Sequence, residues 1–240
     1  MNITVYTISF DEEVLMQFMI DHYRFRFPNC NIVVYDNQST DKTVEICKSN
    51  NCEVRYYNSG GKIDDQRKWD TKNNCWRDAK TDWVLVCDVD ELLDITLEQL
   101  DEESANGTTK IKCESWQMVN MEDNFDVKNI KYGYRDATDH ECYIYDKDLL
   151  FNKKYVDINY NHAGCHYTDS KGIIKNSKPY KMYHYRYINR DAFCAKMKRD
   201  ASRRNDNDIK NSWGIHCTFG DEFFRKRYDT AKNGAIKIFP

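Results

Sequence analysis

Strand-like blocks punctuate the first third of the chain at Ile3 to Ser9, Asn31 to Tyr35, Glu53 to Tyr57 and Trp83 to Cys87. The last block is apolar without alternation, which predicts a strand buried on both faces. Between the first two, Val14, Leu15, Phe18, Met19 and His22 recur at helical spacing and predict a helix with one apolar face. Asp36-Asn37-Gln38-Ser39-Thr40 ends the second strand as a turn-rich cluster and supplies the N-cap of a helix around Val44 to Cys47. Ser59-Gly60-Gly61 breaks the chain, and a helix from about Asp64 to Ala79 follows, burying Trp69 and Trp76. Strands and helices alternating in this way predict parallel strands with right-handed crossovers, an α/β fold whose strand carboxyl ends share one edge of the sheet. Ligands bind at that edge in open α/β sheets. Here it presents Asp11 and Glu12, then Asp36, then Asp88 and Asp90.

The second half has a more mixed pattern. Thr108 to Val119 predicts a strand at the edge of a pair, and Cys142 to Tyr145 a short aromatic strand. Alternation over Tyr180 to Ile188 places Met182, His184 and Arg186 on one face of a further strand. Asn189 to about Arg204 predicts a helix with Phe193, Met197 and Ala201 on one side and Lys196, Lys198, Arg199, Arg203 and Arg204 elsewhere.

At 240 residues the chain fits one large α/β domain with a substantial core. A net charge of −3 gives no global attraction to nucleic acid or to an anionic membrane. Met1 to Phe10 reads as a core strand, so neither a secretory signal nor a transmembrane anchor is expected, and a mean hydropathy of −0.85 agrees. The 10 cysteines fall mostly inside strand-like or helix-like runs, such as Cys87, Cys113, Cys47, Cys75 and Cys194, and none forms a C-x-x-C pair. That usage predicts reduced, buried thiols of a cytoplasmic protein.

Chemistry concentrates in VLVCDVDELL, Val84 to Leu93, where the apolar strand ends in Asp88, Asp90 and Glu91. Carboxylates at i and i+2 on a strand end can hold one hard divalent cation, and so few protein ligands leave positions open for a phosphate-bearing substrate. With only 9 glycines and no G-x-G-x-x-G or G-x-x-x-x-G-K-[ST], the chain has no backbone cradle for phosphate, so a cation must neutralise it. The set suits a nucleoside diphosphate, with Asp36 accepting hydrogen bonds from base or ribose.

NIVVYDNQSTDKT followed by DWVLVCDVDELL resembles the nucleotide-binding half of the GT-A glycosyltransferases. The similarity is to the family 2-like group, whose second strand ends in D-N-x-S-T-D-x-T and whose metal motif reads D-W-V-x-x-x-D-x-D-E. It covers roughly residues 3 to 95 well and the rest loosely. The resemblance implies a GT-A fold with a mostly parallel central sheet and a mixed C-terminal acceptor half. Residues 1–95 would form the nucleotide-sugar half and 96–240 the acceptor half of a single domain. By the same resemblance Asp36 contacts the nucleoside, Asp88 and Asp90 bind Mn²⁺ or Mg²⁺, and Asp65, Arg67 and Asn73 lie on the helix beside the donor. Where the family commonly has Asn-Glu after the first strand this chain has Asp11-Glu12, so Asp11 is a donor-side candidate of uncommon type.

The implied activity is a metal-dependent glycosyltransferase of hexosyltransferase type, moving a sugar from a nucleoside diphosphate donor, expected to be a UDP-sugar, to a glycan or other hydroxyl acceptor with inversion. The general base is sought among Asp139, Glu141 and Asp123. His184 and His166 are candidates to complete the metal shell, Arg186 to stabilise the departing nucleotide, and Lys196 to clamp the diphosphate. The tyrosines crowded into the second half could line the acceptor cleft. A sugar-1-phosphate nucleotidyltransferase is the alternative on the same fold, although Ile3 to Glu13 lacks the Gly-rich loop of that class; a non-catalytic sugar- or partner-binding module is the other.

Overall fold

The computed structural model describes residues 1–122, 126–136 and 138–239. Its first half alternates as β1 (Ile3–Ser9), α1 (Glu13–Arg26), β2 (Asn31–Asp36), α2 (Thr43–Ser49), β3 (Glu53–Tyr56), α3 (Asp65–Asn74) and β4 (Trp83–Asp88). The chain continues through β5 (Glu91–Leu93), α4 (Leu97–Ala105), β6 (Lys110–Val119), β7 (Tyr132–Tyr134), α5 (His140–Tyr143) and β8 (Leu150–Asn152). It ends with β9 (Val156–Asn161), β10 (Tyr167–Gly172), β11 (Asn176–Tyr187), α6 (Arg190–Ser202), α7 (Asp206–Lys210), α8 (Asp221–Gly234) and β12 (Ile236–Lys237).

The main sheet runs β12-β7-β6-β8-β4-β1-β2-β3, with β11 paired to both β6 and β5. β1 is parallel to β2 and to β4, in a register that sets Ser9 opposite Asp36 and Ile8 opposite Asp88. Three strand ends therefore emerge side by side, as the alternation predicts. β8 pairs antiparallel with β4, so the two halves of the chain share one sheet, and the antiparallel strands lie on the second-half side.

Alternation along each central strand feeds two cores. Ile3, Val5, Trp83, Leu85 and Cys87 pack on one face with α1; Tyr6, Val84 and Val86 pack on the other with Trp76, Phe151 and Tyr160. β4 is buried from Trp83 to Cys87, which bears out a strand covered on both sides. Each buried Val or Leu there contributes about 1.5–3 kcal/mol through removal of apolar surface from water.

Four local expectations need correction. The buried face of α1 is Leu15, Met16, Met19, Ile20 and Tyr23, while Val14 is exposed. Tyr23 sets that rotation, since its hydroxyl donates to the Glu91 carbonyl at 2.7 Å and accepts from Leu93 N at 3.3 Å. α3 stops at Asn74, because the chain then tightens into turns with Arg77 N bonded to Asn74 O and Ala79 N to Trp76 O. β6 is interior, flanked by β7, β8 and β11. Cys142 to Tyr145 is not a strand: α5 runs through Cys142, which is buried, and Tyr143, which is exposed. An alternating quartet is too short to separate one helical turn from a strand.

β9 and β10 form a separate two-stranded sheet. The turn between them lies over α3, where Gly164 N donates to the Asp65 carboxylate at 3.1 Å. All ten cysteines are free, nine of them buried. Among the described residues no helix is long and apolar enough to cross a membrane.

Candidate active site

An open cleft of about 890 Å³ lies at the carboxyl edge of β1 and β4 and is roofed by α6. Its floor is the turn from Asp88 through Asp90. Glu91, fully buried, pins that turn by accepting from Asp88 N at 2.9 Å and pairing with Lys147 at 2.6 Å. The antiparallel register of β5 with β11 sets His184 opposite Glu91, and Tyr185 N donates to the Asp90 carbonyl at 2.8 Å. Strand pairing thus carries His184 to the acidic turn from about ninety residues away, as the alternation over Tyr180 to Ile188 suggests.

Asp90 faces His184 with Oδ2 3.5 Å from Nε2. On its other side His184 Nδ1 donates to Gln117 Oε1 at 2.8 Å. With Nδ1 on Gln117, the ring directs Nε2 at the Asp90 carboxylate, and a nitrogen and an oxygen at that spacing can share a proton or a cation between them. Ligand atoms on one cation of radius typical for Mn²⁺ or Mg²⁺ sit about this far apart. Asp90 and His184 therefore fit a divalent ion. Burial works to raise the Asp90 carboxyl pKa, and a positive charge at His184, with Lys196 adding to it, outweighs burial and holds the group well below the ordinary carboxylate range.

Asp88 differs. Lys68 and Lys72 reach its Oδ1 at 3.2 and 2.9 Å, and Lys68 and Lys147 reach its Oδ2, both at 3.2 Å. Burial raises its pKa, but the three ammonium groups outweigh burial and keep it ionised far below the usual range. Among the described residues no group of three or more His, Cys, Asp or Glu side chains is arranged to hold a metal ion.

The other candidates scatter around this centre. Asp11 lines the cleft, its carboxylate accepting from Thr40 N at 2.7 Å. The Asp36 carboxylate is turned into its own loop, accepting from Gln38 N at 3.1 Å and Ser39 N at 3.2 Å, and Asn37 lines the cleft instead. Asp65 forms part of the wall, paired with Arg204 at 2.6 Å. Arg67 is in a separate depression between β3 and α3, and Asn73 pins the β9 hairpin by bonding Tyr160 O at 3.0 Å. His166 borders the cleft edge-on to Tyr145, its pKa lowered by burial and by the nearby Lys147 and Lys68. Arg186 bonds the Tyr145 hydroxyl from within the cleft. Lys196 pairs with Glu12 at 2.6 Å, tying α6 to the loop after β1. Asp139 is held by Arg227 at 3.1 Å and does not line the cleft. Asp123 lies outside the described residues, and of Glu141 only the backbone, within α5, is described.

Sequence reading missed Lys68, Lys72, Lys147 and Gln117. Lys68 and Lys72 carried a usable signal, being one helical turn apart on the helix that precedes the acidic strand end. Lys147 sits in a loop with no periodicity to mark it.

A parallel α/β sheet that delivers an Asp-x-Asp turn into such a cleft, with a mixed second half on the same sheet, defines the GT-A class of fold. Residues 4–194 match the model of glycosyl transferase family 2, and the chain belongs to that family. Among solved structures it is similar to TarS of S. aureus, at 14% identity over 84% of this chain and 39% of that one, with a TM-score of 0.49. TarS 1–349 in complex with UDP matches at 15% identity over 85% and 65%, TM-score 0.44. Glucosyl-3-phosphoglycerate synthase from Mycobacterium tuberculosis, in complex with Mn²⁺, UDP and glucosyl-3-phosphoglycerate, matches at 17% identity over 48% and 44%, TM-score 0.33. The chain spans less than two thirds of the length of each. No curated protein matches it in sequence.

Proposed function

We propose that this glycosyltransferase moves a hexose-type sugar from a nucleoside diphosphate, UDP in the first instance, to a hydroxyl of a glycan or other acceptor, with inversion. The observation that carries the reading is the Asp90–His184 pair, a carboxylate oxygen and an imidazole nitrogen 3.5 Å apart on the floor of a cleft where three parallel strand ends meet. Mn²⁺ or Mg²⁺ held there would supply a Lewis acid for the departing nucleotide. The chain's own side chains do the rest. Arg186 presents a guanidinium to the leaving group, and Tyr145, its ring 4.3 Å from that of His184, closes the site beside it. Glu141 and Asp123 are the proposed bases for the acceptor proton, since Asp139 is neutralised by Arg227 away from the cleft. Residues 1–95 serve as the donor half and 96–240 as the acceptor half of one domain, and the ten free thiols support a reducing, cytoplasmic setting.

Hydrolysis of a UDP-sugar panel with and without Mn²⁺ tests this. Wild-type turnover is expected to need the ion, and Asp90→Asn to lower it at least about 100-fold. Unchanged turnover in a folded Asp90→Asn protein would overturn the reading.

A further inference from the structure

Asp88 and Asp90 stand two residues apart in one motif, yet their surroundings are opposite. A carboxylate offers about four lone-pair sites. Those of Asp88 meet four ammonium contacts, Lys68 and Lys72 on Oδ1 and Lys68 and Lys147 on Oδ2, all within 3.2 Å. A divalent cation on Asp88 would have to displace one of these groups and sit among the remaining positive charges. Among the described residues the Asp90 carboxylate has one close side-chain nitrogen, that of His184.

The lysines are also in excess. Lys68, Lys72 and Lys147 bring three positive charges against the two carboxylates they touch, Asp88 and Glu91. The Lys72 and Lys147 side chains are 2% exposed and that of Lys68 26% exposed. Lys68 and Lys147 border the cleft, whereas Lys72 stands behind them. Burial alone would lower the pKa of Lys68 and Lys147, and the carboxylates reverse this and keep both charged. Buried ammonium groups fixed by carboxylates and open on one side to a cleft form a pre-built receptor for a multiply charged anion.

We propose that Lys68 and Lys147 form the subsite for the donor's diphosphate, with Asp88 as the anchor that holds them and not as a metal ligand. The cation ligands supplied by this turn and β11 are then Asp90 and His184. The inference rests on the donor reading above, and it goes further by assigning the phosphate charge to side chains of α3 and of the loop before β8. A diphosphate should bind this chain with no metal present.

The test uses the full chain and two readouts other than turnover. Calorimetric titration with inorganic pyrophosphate in EDTA is expected to show binding that Lys68→Met weakens at least fivefold and Lys68→Arg largely restores. Titration of Mn²⁺ followed by electron paramagnetic resonance, without nucleotide, is expected to give undiminished affinity in Lys68→Met and Asp88→Asn, and a tenfold or greater loss in Asp90→Asn. No pyrophosphate binding in EDTA, equal binding by wild type and Lys68→Met, or loss of Mn²⁺ from an Asp88→Asn protein that still melts cooperatively would each overturn the proposal. If Asp88→Asn does not fold, the Lys68 variants, whose side chain is partly open to solvent, decide alone. Failure of the donor reading registers separately, as absence of UDP-sugar binding by the wild type with Mn²⁺ present.

Discussion

Asp208 is fully buried beneath the start of α3, where its carboxylate accepts from Asp65 N at 3.2 Å and meets Arg204 at 3.3 Å. Burial and the neighbouring Asp65 carboxylate push its pKa up to about 6, with Arg204 offsetting part of the rise. An unfolded Asp titrates near 3.9. Between these values the folded chain holds a proton that the unfolded chain has lost, so this group's contribution to stability declines as pH rises from about 4 to about 6 and is constant above. Asp208→Asn keeps an acceptor for Asp65 N and removes the charge. Melting curves across pH 4 to 8 should show wild type losing ground to Asp208→Asn up to about pH 6 and a flat difference beyond; parallel curves throughout would refute the assignment. None of this was visible in the sequence, where Asp208 is one acid in a polar stretch. Asp90 and His184 were legible because each lies on a strand or strand end whose period fixes direction. The Lys147 contact to Asp88 joins positions 59 apart through a loop, and no local pattern announces such a meeting.

Element boundaries followed the same physics. β1 runs over Ile3–Ser9 as the pattern predicts, and β2 and β4 exceed expectation by one residue each, because parallel pairing with β1 extends their ladders to Asp36 and Asp88. The rotation of α1 was not readable, since it depends on the Tyr23 hydroxyl finding backbone groups near β5. α4 shows what a local signal can fix. Thr96 Oγ1 accepts from Gln99 N at 3.2 Å while Gln99 Oε1 accepts from Thr96 N at 2.9 Å, a reciprocal capping box that satisfies two donors otherwise orphaned at a helix start. Thr96→Ala removes one half of it, for a loss of about 1 kcal/mol. For a chain of this size that lowers the melting temperature by roughly 2–4 °C. Thermal melts should show the drop with UDP-sugar turnover unchanged, because α4 contributes nothing to the cleft lining; an unchanged melting temperature would mean that tertiary packing alone fixes this helix start.

At the scale of the whole molecule, the cleft is assembled from distant stretches, which is why its outline could be read but its wiring could not. Residues from Ile8 to Cys217 line it. The Lys196–Glu12 pair alone closes a separation of 184 positions, and the Arg204–Asp65 pair one of 139. On the donor reading proposed above, a donor seated between the strand ends and α6 would touch both halves, so its binding free energy would add to the stability of the whole fold. At a free concentration 100 times its dissociation constant a ligand contributes about 2.7 kcal/mol, provided it binds only the native state. That corresponds to a rise in melting temperature of roughly 5–10 °C for a chain of this size. A panel of sugar nucleotides with Mn²⁺ should give such a rise for the true donor, reduced in Asp90→Asn through loss of the cation and abolished when the nucleotide is replaced by the free sugar. Equal shifts in wild type and Asp90→Asn would mean that Asp90 and any cation it holds contribute nothing to nucleotide binding, which would overturn its assignment as a cation ligand.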